Sequence, residues 1–155
     1  MSARVQRDDF DLGAELVALS AGRTDIGALV SFTGLVRDVT GSLQSMELEH
    51  YPGMTEKALG AIEAEARARW PISACLIIHR YGSLAPGEQI MMVATASAHR
   101  GAAFAAAEFL MDWLKTRAPF WKREIFADGT AGPWVEAKAE DDAAAGRWTL
   151  DKAAE

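Results

Sequence analysis

The segment SACLIIHRYGSLAPGEQIMMVATASA, residues 73–98, decides the fold. Two apolar runs, 73–82 and 89–98, flank a short polar stretch centred on Pro86-Gly87. Proline presets φ for the second position of a β-turn and glycine accepts the positive φ of the third, so this pair fits the middle of a type II turn. The spacing predicts an antiparallel hairpin pairing Cys75–Tyr81 with Ile90–Ala98. Strands and helices alternate along the chain, but this hairpin argues against a parallel, doubly wound sheet.

On the C-terminal side, Gly101 to Lys115 reads as a long helix. It is rich in alanine, the best helix former, and Ala103, Phe104, Ala107, Leu110, Met111 and Leu114 make its apolar face. Pro119 ends it. Residues 119–126 and 133–138 read as short strands around a Gly-containing loop. The alanine-rich acidic stretch after Glu140 reads either as a last short helix or as a frayed end. On the N-terminal side, Pro52-Gly53 marks a turn, and Met54 to Trp70 is an amphipathic helix with Leu59, Ile62, Ala66 and Trp70 on one stripe. Residues 27–37 and 44–51 read as strands, and Gly34 within the first hints at a bulge. Asp11 is placed to cap a helix carrying Leu12, Leu16 and Leu19, with Gly22 as its stop, and Arg4–Arg7 is a short first strand. The sum is an α+β fold, two main helices on a mostly antiparallel sheet, in a single domain over 1–155.

The 155 residues are half apolar and a quarter charged, ordinary for a globular domain. No apolar run approaches 18 residues and the N-terminus has no signal-peptide character, so a soluble cytoplasmic protein with no membrane association is expected. The net charge of −6 disfavours nucleic-acid binding through phosphate neutralisation. The charge is uneven, however. Between His99 and Arg123 stand Arg100, Lys115, Arg117, Lys122 and Arg123 against Glu108 and Asp112, a net +3 on an acidic chain. Such a zone suits a small anion or an acidic partner.

No phosphate-binding glycine loop, dinucleotide fingerprint, nucleophile elbow or zinc-ligand spacing is present, so neither a metal nor a resident cofactor is expected. The single cysteine, Cys75, lies in an apolar strand and reads as a small buried hydrophobe. His50 and His79 lie in strands and read as structural. His99 is different, because it directly precedes Arg100 at a helix start, where free N–H groups favour anions. Lys122 follows Phe120-Trp121 in a short strand, on the same face as Phe120 and Glu124. Arg100 and Lys115 are separated by about 22 Å along one helix. If both serve one small ligand, one of them comes from a second copy of the chain, and a homodimer is expected.

The segments FTGLVRD (32–38), LEHYPGMTEKAL (48–59), IHRYG (78–82), SAHR (97–100), MDWLKTRAPFWKRE (111–124) and WVEA (134–137) resemble, in this order, the large, catalytic subunits of molybdopterin synthase. The resemblance implies an α/β hammerhead-like fold with an additional small antiparallel sheet. It implies a sulfurtransferase of molybdenum cofactor biosynthesis, converting cyclic pyranopterin monophosphate to molybdopterin. The two dithiolene sulfurs come from the C-terminal thiocarboxylate of a small ubiquitin-like partner, one at each end of a homodimer, making a heterotetramer. Carried over by position, Lys115 and Lys122 are the catalytic lysines. Arg37, His99, Arg100, Arg123 and Glu124 join them in binding substrate, and Phe32, Arg37, Met111 and Lys138 receive the partner's tail. Many relatives have arginine where this chain has Lys138, which keeps the charge but loses the bidentate fork. Two readings from other classes stand beside this one: a non-catalytic adaptor docking a partner's tail, and an RNA-binding module, which the acidic charge disfavours.

Overall fold

The computed structural model describes residues 3–135 together with Gly146 and Trp148. In chain order the elements are β1 (Ala3–Gln6), α1 (Leu12–Ser20), β2 (Ala28–Leu35), β3 (Leu43–His50), α2 (Met54–Arg69), β4 (Ile72–Arg80), β5 (Gly82–Leu84), β6 (Gln89–Ser97), α3 (Arg100–Thr116) and β7 (Phe120–Phe126). They form two sheets. One is four-stranded, ordered β1-β4-β6-β2, with β1 parallel to β4 and the other pairs antiparallel. The other, β5-β3-β7, is antiparallel throughout.

The expected hairpin is the centre of the larger sheet: Cys75 pairs with Thr95, Ile77 with Val93 and His79 with Met91. These strands are apolar nearly end to end because both faces are covered. On one face Cys75, Ile77, Met91 and Val93 pack under Leu59, Ile62 and Ala66 of α2 and Phe109, Leu110 and Leu114 of α3. On the other, Leu76, Ile78, Met92 and Ala94 pack under Phe10 and the leucines of α1. A third helix thus covers the face the two main helices leave open. Its start is as expected, with the Ala14 N–H donating to Asp11 Oδ1 at 2.9 Å, an N-cap that satisfies an otherwise orphaned donor.

The hairpin connection does more than turn. Past Tyr81 the chain bends at Gly82, whose φ is +96°, and β5 leaves to pair with β3 in the second sheet. It returns through the Pro86-Gly87 turn, where the Glu88 N–H donates to the Ala85 carbonyl at 3.0 Å and Gly87 has φ +89°. The bulge foreseen at Gly34 is present as a register shift between Gly34 and Leu35. Three details differ from the sequence reading. β1 joins its sheet in parallel. Phe104 lies at the flank of the buried stripe of α3, 61% exposed. Of the strand expected over 133–138, only a bridge from Val135 to Lys122 forms, beside one from Ala131 to Ile125; residues 136–138 and most of the stretch after Glu140 lie outside the described residues.

Gly27 sets how closely the start of β2 approaches the end of β6. Its N–H donates to the Ser97 carbonyl at 3.0 Å, and a Cβ there would stand 2.2 Å from the Ala98 carbonyl oxygen. Gly27→Ala should therefore cost about 1–3 kcal/mol of stability through backbone displacement, measured as a lower urea midpoint than wild type.

Candidate active site

The two sheets meet along a cleft of about 1110 Å³. Its wall on one side is β2 and the loop that follows. On the other side stand the end of α3 and the start of β7, and His79 of β4 also lines it. The turn between α3 and β7 is tight: the Arg117 N–H donates to the Trp113 carbonyl at 2.8 Å and the Phe120 N–H to the Ala118 carbonyl at 2.8 Å. Pro119, with no N–H to continue the helix, starts the new direction.

Phe120 then joins the two sheets. Its ring stacks on His79 of the four-stranded sheet, centroids 3.7 Å apart and planes 15° from parallel. It also lies 6.2 Å from the ring of His50, its partner across β3. With Phe120 pinned, strand alternation carries Lys122 and Glu124 along the same face and into the cleft.

Four cations line this space: Arg37 after β2, Lys115 on the last turn of α3, Arg117 beyond it and Lys122 on β7. Against them stand Asp38 and Glu124. Asp38 is committed to its own loop, where Oδ1 accepts from the Gly41 N–H at 2.9 Å. Phe32 and Met111 supply apolar wall. Of the residues expected to share one site, the structure thus brings together Phe32, Arg37, Met111, Lys115, Lys122 and Glu124.

Three others are elsewhere. His99 and Arg100 are exposed at the opposite end of α3 from Lys115 and do not line the cleft. Arg123 points to the other face of β7, where Nε donates to Glu47 at 2.9 Å and the guanidinium lies 4.6 Å from the centroid of the Trp134 ring. Alternation along β7 turns it away from the cleft while turning Lys122 inward. Lys138 lies outside the described residues.

His79 is the cleft residue that the sequence reading assigned to structure alone. It is 8% exposed, and Nδ1 donates to the Arg80 carbonyl at 2.8 Å. Burial lowers its pKa to about 4; the bond to Arg80 opposes this and the Lys115 charge adds to it. The sequence offered one unused signal, its place two residues beyond Ile77 on the face that α3 covers. Cys75 is buried as expected, and its thiol is pushed up to about 12 by desolvation, with Glu63 adding to the shift. It stays protonated and unreactive at working pH.

A two-sheet α+β fold whose seam is a lysine- and arginine-lined cleft, with its lone thiol inert, defines a class of protein whose pocket suits anions. Comparison with known proteins makes that specific. The profile of the MoaE protein family matches residues 5–117. The "Molybdopterin synthase catalytic subunit" of Cereibacter sphaeroides is 59% identical over 148 residues, 96% of this chain and 100% of that protein. The solved MoaE protein of Burkholderia ambifaria superposes with a TM-score of 0.80 at 57% identity, covering 96% of this chain and 98% of that one. A distant neighbour is a complex of subunits 1 and 2 of molybdopterin-converting factor from Helicobacter pylori. It shares the fold at 18% identity, with a TM-score of 0.73 over 90% of this chain and 92% of that one. The chain belongs to the MoaE family, the catalytic subunits of molybdopterin synthase, an enzyme of molybdenum cofactor biosynthesis.

The state of His79 makes stability depend on pH with a definite sign. The folded ring protonates near pH 4, the unfolded one near 6.5. Above 6.5 neither state takes the proton. As pH falls the unfolded chain binds it first, so stability should drop between pH 6.5 and about 4, at up to about 1.4 kcal/mol per pH unit. Denaturation series across that range should show the component in wild type and lose it in His79→Gln.

Proposed function

We propose that the cleft is the seat of sulfur transfer from the C-terminal thiocarboxylate of a small ubiquitin-like partner subunit to cyclic pyranopterin monophosphate. The observation that carries this reading is the convergence of Lys115, Lys122 and Arg37, from three separate elements, on one cavity. A thiocarboxylate and a cyclic phosphate are both anions, and a cationic pocket suits them through charge-assisted hydrogen bonds. Because Cys75 is buried and protonated, the sulfur travels on a carrier rather than on this chain. The complex of two subunits formed by the Helicobacter pylori neighbour supports a small partner.

In the mechanism the partner's tail enters past Phe32 and Met111, with Arg37 near its end. The thiocarboxylate sulfur attacks a substrate carbon and displaces an oxygen from it, either the phosphate oxygen or a hydroxyl that leaves protonated as water, so that a C–S bond replaces a C–O bond and a thioester joins substrate and tail. Water then adds to the thioester carbonyl. The resulting oxyanion collapses, leaving the sulfur on the substrate as a thiolate and the tail as an ordinary carboxylate. Lys115 holds the incoming thiocarboxylate and stabilises that oxyanion. Lys122 assists proton transfer or departure of the phosphate oxygen, and Glu124 beside it contacts substrate. A second donor repeats the cycle for the second sulfur. No resident metal or cofactor enters this scheme.

His99 and Arg100 bind the substrate phosphate from a neighbouring copy of the chain. The 17-residue helix separates them from Lys115 by more than 20 Å, and exposed Phe104, one turn beyond Arg100, offers the second copy an apolar contact. Arg123 acts as a strut, holding β7 through Glu47 and Trp134. Lys138 is assigned to the partner's tail by resemblance alone. The assembly is a cytoplasmic heterotetramer, two copies of this chain with two carriers.

Reconstitution with a thiocarboxylated carrier and the cyclic pterin, with dithiolene product read by mass spectrometry, tests this. Lys115 is exposed, so Lys115→Ala should keep its melting temperature while product formation falls by about 10²-fold or more. Near-normal product would overturn the assignment. Sedimentation should show a dimer of this chain, and a fully active monomer would remove the shared site.

A further inference from the structure

We propose that His79 is a positioning residue for Lys115: its cleft-facing Nε2 accepts a hydrogen bond from the lysine ammonium and fixes where that charge sits when an anion is bound. The proposal rests on the role given to Lys115 above and adds a residue to it.

The tautomer follows from geometry. Nδ1 lies 2.8 Å from the Arg80 carbonyl oxygen. A carbonyl can only accept, so Nδ1 carries the hydrogen and Nε2 of the neutral ring carries a lone pair. The ring is clamped by its stack on Phe120, so that lone pair has a fixed direction. Among the described residues Nε2 has no hydrogen-bond partner, and the residue, though only 8% exposed, lines the cleft. The lone pair is therefore open to a donor that enters the cleft.

The groups around it narrow the choice of donor. Val5 of β1 and Met91 of β6, its neighbours across the sheet, carry no charge. Arg80 turns the other way, to the Arg7 and Gln89 carbonyls and Glu88. His50 of β3 has its ring 6.2 Å from that of Phe120 and is bonded through Nδ1 to Thr55. Lys122 and Glu124 of β7, with Arg37 and Arg117, also line the cleft. Lys115 of α3 is the cation whose charge reaches the ring most strongly, and no described residue accepts a hydrogen bond from its ammonium. An uncommitted ammonium therefore shares the cleft with an uncommitted lone pair. Lysine has three donors. One given to Nε2 leaves two for a thiocarboxylate or an oxyanion, and turns a flexible four-carbon stem into an aimed one.

Nitrogen-15 spectra of histidine-labelled protein at pH 7 provide the direct test. Nε2 should resonate as an unprotonated nitrogen in wild type and move further toward the free, unbonded position in Lys115→Ala. An identical Nε2 resonance in the two proteins would overturn the proposal, whatever the turnover of either.

Two further variants separate positioning from packing. His79→Asn keeps a donor for the Arg80 carbonyl but lacks the cleft-facing acceptor. His79→Gln returns an acceptor oxygen near the place of Nε2. The expected result is a fall of about tenfold in kcat for Asn with KM little changed, and recovery of kcat in Gln. Equal losses in both variants would show a merely structural histidine. Near-normal product from Lys115→Ala would instead count against the mechanism itself, so the two failures are distinguishable.

Discussion

The stack of Phe120 on His79 is the contact on which the rest of the site depends. It joins the end of one sheet to the start of a strand in the other, and the His50 ring lies 6.2 Å from that of Phe120. A phenylalanine at a tight helix-to-strand turn has one large apolar surface to bury, and here the burial sets a register. β7 lies against β3 with Phe120 opposite His50 and Lys122 opposite Leu48. From that register, pleating sends Lys122 and Glu124 into the cleft and Arg123 away from it. The same contact covers one face of the His79 ring and adds to the burial that keeps it uncharged beside a cluster of cations.

Charge is distributed with the same economy. The chain is acidic as a whole, yet four cations line a single cavity. Lys115 stands where the carbonyl end of α3 already favours positive charge, which eases the cost of gathering like charges. The one thiol is sunk in the core between α2 and the larger sheet, so the cleft offers charged groups rather than a thiol nucleophile. That lining suits the carrier-borne sulfur proposed above.

Much of the fold was legible because its signals are local. The alternation and turn chemistry of 73–98 specify the central hairpin, alanine and spacing specify α3, and Asp11 caps α1 as its position suggests. What escaped were features without a local signature. β5 is three residues long and exists because β3 offers it an edge. Residues 133–135 read as a strand but form only a bridge. Phe104 fits the apolar period of α3, yet its place depends on which side of the helix meets the sheet. His79 and Arg123 were both judged by residue type. Their roles depend on what lies across the sheet and on which face of a strand they stand.

The sequence by itself determined the class of fold, the order of its main helices and strands, the inertness of Cys75 and the identity of the basic residues, since each follows from composition and short-range periodicity. It also determined that Arg100 and Lys115 stand far apart, because helix geometry alone sets that distance. Only the tertiary structure decided that Arg37, Lys115 and Lys122 share one cavity, and that a neutral histidine sits in it with an open lone pair. The physical reason is that convergence of side chains and loss of solvent are properties of packing between elements distant in sequence, and no local pattern encodes them.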